Sequence, residues 1–104
     1  MIDDKKIEKL TVKLFKQYQW KNCPKALRLA DKILKIYPED SDTLKVKLNA
    51  SFYLKKYEIA LETSEKIIKA YPDFHAANAF RSDILTEIRG FKSIEKVWWS
   101  NENN

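Results

Sequence analysis

A lone histidine, a lone cysteine and scattered carboxylates are all that this 104-residue chain offers for catalysis. Any catalytic dyad would need His75, and nothing beside it in the chain recommends it for one. Cys23 has no partner for an intramolecular disulfide. No Cys-Cys or His-Cys spacing suggests a metal site, so Cys23 reads as a small, partly buried apolar residue. Gly90 is the only glycine, which rules out a glycine-rich phosphate loop. Asp and Glu are plentiful but sit beside lysines on what read as helix surfaces, where they make solvated salt bridges. The expectation is a non-enzymatic protein with no cofactor and no metal, whose chemistry is recognition.

Charge bears on what is recognised. The net charge is +5 and the pI about 9.3. The excess lies between Met1 and Tyr37, where Asp3, Asp4, Glu8 and Asp31 oppose a crowd of lysines; the rest is near neutral. A basic first third attracts an acidic partner, nucleic acid or an anionic membrane surface. Lys9, Lys13, Lys16 and Lys21 near Tyr18 and Trp20 motivate a nucleic-acid alternative. A solvated lysine face is the plainer reading. The start, Met-Ile-Asp-Asp-Lys-Lys, is not a secretory signal, and no apolar run approaches the roughly 18 residues of a span. A soluble, cytoplasmic protein is expected.

The elements that must carry these residues are helices. Hydrophobic residues make up 44%, charged residues 34%, and there are only three prolines, a balance that suits packed helices with short connections. Ile7, Leu10, Leu14 and Tyr18 form one stripe and predict a helix over residues 5–20. Asn22 is placed to cap a second, 24–36, with Pro24 in its first turn. Ala26, Leu27, Ala30, Ile33 and Leu34 are its apolar face. Pro38 disfavours helix at Tyr37, and the stretch from Glu39 to Asp42 supplies caps for a third helix, 42–54, carrying Leu44, Leu48 and Phe52. A fourth spans 57–70 and a fifth 74–88. Gly90 sits where a helix-ending left-handed residue is wanted. A short sixth, 91–99, then precedes a polar tail, 100–104.

Tyr37-Pro38 recurs as Tyr71-Pro72, 34 residues on (71 − 37). Residues 7–40 lie on 41–74 without a gap, with about a third of the positions identical, a periodicity that marks stacked helical hairpins. Leu10, Val12, Lys13 and Leu14 match Leu44, Val46, Lys47 and Leu48. Lys21 matches Lys55, Ala26-Leu27 matches Ala60-Leu61, and Lys32-Ile33 matches Lys66-Ile67. The chain resembles the tetratricopeptide repeat family. That family has a small Ala early in the second helix of each unit, here Ala26 and Ala60, and a Pro near its end, here Pro38 and Pro72. Tyr57 fits the aromatic three residues before the Ala, with Cys23 a weaker substitute. The first helices depart from the pattern, with Leu14 and Leu48 at the Gly-type position and Gln17 and Ser51 at the next aromatic-favoured one. Residues 75–99 read as a degenerate third unit, with Ile94 in place of the small Ala.

The resemblance implies an all-α fold, a right-handed superhelical array of antiparallel helix hairpins with about six helices in a single domain. It implies a concave groove lined by the first helix of each unit. By position that groove presents Thr11, Phe15 and Tyr18, then Lys45, Asn49, Phe52 and Tyr53, then Asp83, to a peptide or partner helix. Phe15 and Tyr53 are the apolar anchors. Lys45 and Asn49 also match the start of a carboxylate clamp that some members use on acidic C-terminal tails, but Phe80 stands where its next Asn belongs. Trp98 and Trp99 read as a cover for the last apolar face, with Trp99 alternatively an exposed anchor for a partner or a second copy. The implied function is protein–protein interaction, as an adaptor or scaffold subunit. Nucleic-acid association and structural self-association are the alternatives.

Overall fold

The computed structural model describes the backbone of residues 4–103 and the side chains of residues 5–90. Over that range the chain is helical: α1 (Asp4–Gln19), α2 (Cys23–Ile36), α3 (Ser41–Tyr53), α4 (Tyr57–Ala70) and α5 (His75–Asn103). Each helix packs on the next, and α1 also touches α3. Four helices fall within a few residues of the expected bounds. The expected fifth and sixth helices and most of the tail are instead one helix, α5, which passes through Gly90 without a positive φ. The long axis of the molecule is 63 Å.

The left-handed residues lie elsewhere, and they repeat. Lys21 (φ 59°) and Lys55 (φ 62°) are 34 positions apart and hold the same place in the turns that close α1 on α2 and α3 on α4. In the first turn the Lys21 amide donates to the Tyr18 carbonyl (3.0 Å) and the Asn22 amide to Gln17 (2.8 Å). In the second, Lys55 donates to Phe52 (3.0 Å) and Lys56 to Ser51 (2.8 Å). This is the paired 5→2 and 6→1 bonding of a Schellman ending, built on lysine where glycine is usual. The register puts the third copy of this position at Arg89, not Gly90.

The helix starts differ from one another. Asp40 caps α3: its carboxylate accepts from the Thr43 amide at 3.1 Å and also from the Thr43 hydroxyl. Asn22 stands at the start of α2 but makes no side-chain cap; its amide donates to the Gln17 side chain at 3.1 Å. Pro24 lies in the first turn of α2, where its missing N–H is not needed. Tyr37 and Tyr71 end α2 and α4, and the Tyr71 hydroxyl reaches across to donate to the Glu39 carbonyl in the preceding loop.

Two apolar cores share α3. The first gathers Leu14, Ala26, Leu29, Ala30, Ile33 and Val46, with Leu10 and Tyr18 against it. The second gathers Leu44, Leu48, Ala60, Ile67, Ala77 and Ile84. Ala26 and Ala60 are fully buried, as the close approach of hairpin helices requires. Leu14 and Leu48, which depart from the family pattern, are core residues in both units. Buried hydroxyls turn back on their own helices: Ser51 donates to the Lys47 carbonyl (2.6 Å), Ser64 to Leu61 (2.7 Å) and Thr63 to Ile59 (2.7 Å). These groups therefore enter the core without losing a hydrogen bond.

Candidate protein-binding surface

The first helices of the units lie side by side. α1 meets α3 directly, and α3 meets α5 where the Phe52 and Phe80 rings stack edge to face at 5.2 Å. The residues expected from the repeat register to line a groove lie on these helices and differ in exposure. Three of these are open. Phe15 is 41% exposed, Tyr53 is 67% exposed, and Asp83 is also exposed. Surface aromatics of this size are what peptide-binding faces use as anchors.

The remainder are partly buried and already engaged. The Thr11 hydroxyl donates to the Ile7 carbonyl (2.8 Å). Tyr18 packs on the first core. Phe52 lies edge-on to Tyr57 (5.7 Å) as well as Phe80, and belongs with the second core. The Lys45 ammonium sits 4.5 Å over the Phe74 ring, a cation–π contact. The Asn49 amide donates to the Lys45 carbonyl at 2.9 Å. The two residues of the clamp-like pair thus have partners of their own, and Phe80, at the third clamp position, is packed against Phe52. The Trp98 and Trp99 side chains, with the covering and anchoring roles suggested for them, lie outside the described residues.

Sequence reasoning missed a pair of ion contacts that recur where one unit meets the next. The Lys47 ammonium is 2.8 Å from the Asp31 carboxylate, between α3 and α2. The Arg81 guanidinium is 3.5 Å from Glu65, between α5 and α4. Arg81 is 34 positions after Lys47, and Glu65 is 34 after Asp31, so each second helix holds the following first helix by the same charge pair. The signal was present in the 34-residue register, which sets Glu65 on Asp31 and, carried into the third unit, Arg81 on Lys47.

The basic first third also acquires a structural place. Val46 is 4% exposed because α3 sets it in the first core; its counterpart Val12, on α1, is 54% exposed. Thr43 and Ala50 are buried, while their counterparts Lys9 and Lys16 are exposed. Lysine therefore covers on α1 the face that α3 buries against the preceding unit. Trp20, 67% exposed after α1, is a further apolar surface residue.

An open groove of about 1290 Å³ runs between the α3–α4 turn, the first turns of α4 and residues 85–90 of α5. A shallower depression of about 410 Å³ lies at Tyr37–Asp40. Among the described residues no group of His, Cys, Asp and Glu could hold a metal ion, and no helix is long and apolar enough to cross a membrane. His75 is exposed at the start of α5, and Cys23 is a buried free thiol at the start of α2. The fold and the surface together define an all-α chain of helices packed in sequential pairs. Neither a family model nor any curated protein or solved structure matches it.

Proposed function

We propose that the chain is a tetratricopeptide-like, non-enzymatic interaction module, an adaptor or scaffold subunit of the cytoplasm. It binds a peptide or partner helix across α1, α3 and α5, with its hairpins stacked as a right-handed superhelix. The recurrence of one ion pair at one register, Asp31–Lys47 and Glu65–Arg81, carries this reading. It supports units joined by a repeated operation, and such arrays offer the faces of their first helices to partners. Phe15 and Tyr53 supply apolar area there and Asp83 a charge.

The test selects binders from a displayed peptide library on the wild type and measures them on Phe15→Ala and Tyr53→Ala forms. Each exposed aromatic is expected to cost on the order of 1–2 kcal/mol of binding, roughly five- to thirtyfold in Kd. Peptides that bind both variants unchanged would remove this face from the proposal.

A nucleic-acid reading draws on Lys9, Lys13 and Lys16 and on exposed Trp20. It requires affinity for single-stranded RNA that falls as salt rises. A titration at two salt concentrations showing no such affinity removes it.

A further inference from the structure

The groove beside α4 and α5 is a vacancy in the repeat. Among its walls are Tyr57, Ile59 and Leu61 from α4 and Leu85 and Ile88 from α5, all half-buried. In the two preceding units a second helix folds back on the first through the turns at Lys21 and Lys55. In the third unit that helix would be residues 91–99, whose Phe91, Ile94, Val97 and Trp98 are spaced for one helical face. Its way back is closed in two respects. The turn does not form, because α5 continues as helix through Arg89 and Gly90. And the position that seats a fully buried Ala in the tight hairpins, Ala26 and Ala60, is Ile94. A side chain of that size overpacks the close contact that a three-residue turn imposes on such a hairpin.

We infer that the groove is filled by residues 91–98 of a second copy of this chain, in a reciprocal, two-fold exchange of the C-terminal half of α5. A helix arriving from another molecule is not tied to a short turn, so it can lie farther out, as Ile94 and Trp98 need. Two α5 helices that cross antiparallel near Gly90 set the 91–98 segment of each beside residues 82–89 of the other. That is the same antiparallel relation α4 has to α3. The arrangement is closed and self-complementary, and each copy gains the second helix that its third unit lacks. It uses a surface other than the face formed by α1, α3 and α5, so it stands or falls independently of the proposed function.

The test uses the full chain in solution. Light scattering across a concentration series is expected to show a dimer. A photo-crosslinking residue at Ile94, in a mixture of ¹⁴N- and ¹⁵N-labelled chains, is expected to form mixed-isotope links to the stretch 57–61 or 82–89. Leu85→Glu, a half-exposed groove change, is expected to weaken the dimer at least about tenfold with unchanged helicity. Arg89→Gly, which frees the backbone for a left-handed turn, combined with Ile94→Ala, which restores the small residue of the earlier hairpins, is expected to give a monomer. A monomeric wild type overturns the inference. So do links confined to single chains, or a dimer linked only elsewhere. Should Leu85→Glu fail to fold, the isotope pattern alone decides.

Discussion

Lys21 and Lys55 hold a left-handed backbone that an L side chain resists by roughly 1–2 kcal/mol. Glycine relieves that resistance and gives back part of the gain through the freer unfolded chain. Lys55→Gly is therefore expected to raise stability by about 1 kcal/mol, seen as a higher urea midpoint at constant slope. Lys55→Val, β-branched at the same φ, is expected to lower it. A Lys55→Gly form no more stable than the wild type would mean the turn carries no such strain. The two aspartate- and asparagine-led helix starts give a second contrast. Asp40→Ala removes a bond to the Thr43 amide and is expected to cost about 1 kcal/mol. Asn22→Ala removes only a bond to the Gln17 side chain, and its cost is expected to be a few tenths of that. Equal losses in the two variants would overturn the assignment of caps. The sequence narrowed the cap of α3 to the stretch from Glu39 to Asp42 without choosing among its members, and the bond to the Thr43 amide makes the choice. Asn22 was misleading because its side-chain NH2 donates back to Gln17 while its oxygen accepts from no first-turn N–H, one of which Pro24 lacks.

Between elements, the repeated charge pairs mark the register and add little stability. The Asp31–Lys47 and Glu65–Arg81 pairs are largely exposed on the acid side, 52% in each case, so solvent screens them and each contributes at most about 1 kcal/mol. A double-mutant cycle on Asp31→Ala and Lys47→Ala is expected to return a coupling of a few tenths of a kcal/mol that shrinks in salt. A large, salt-insensitive coupling would argue against this. The first four helices were readable from stripe and punctuation, since Pro38 and Pro72 stop α2 and α4 by sterics that context cannot relax. Gly90 was not readable in that way. A glycine inside a helix costs only about 1 kcal/mol against alanine, so it stops a helix only where a turn and a receiving surface are ready. The turn position here falls on Arg89, where α5 continues as helix. An added Cβ at Gly90 meets nothing within 4 Å. Gly90→Ala is accordingly expected to stabilise α5 by about 0.5–1 kcal/mol, read as increased helicity by circular dichroism. A loss of helicity would point to a turn at Gly90 after all.

Across the whole molecule, stability is expected to grade outward from α3. That helix gives Val46 to the first core and Leu44 and Leu48 to the second, so neither core closes without it. α1 stands at the other extreme. It packs mainly on α2, leaves Val12 and Phe15 open, and turns Lys9, Lys13 and Lys16 to water. In an array whose units touch only their neighbours, an end helix can open while the rest stays folded, but a shared helix cannot. Native-state hydrogen exchange is expected to show the slowest amides in the middle of α3, at the free energy of global unfolding, with those of α1 exchanging through a smaller local opening. Leu48→Ala is expected to remove about 2–5 kcal/mol and to lower protection in both cores together. Leu10→Ala, at a half-buried position against the first core alone, is expected to lower protection in α1 and leave the second core unchanged. Should α1 exchange as slowly as α3, or Leu10→Ala loosen the second core equally, the chain would be one cooperative unit in which the repeat has no energetic meaning.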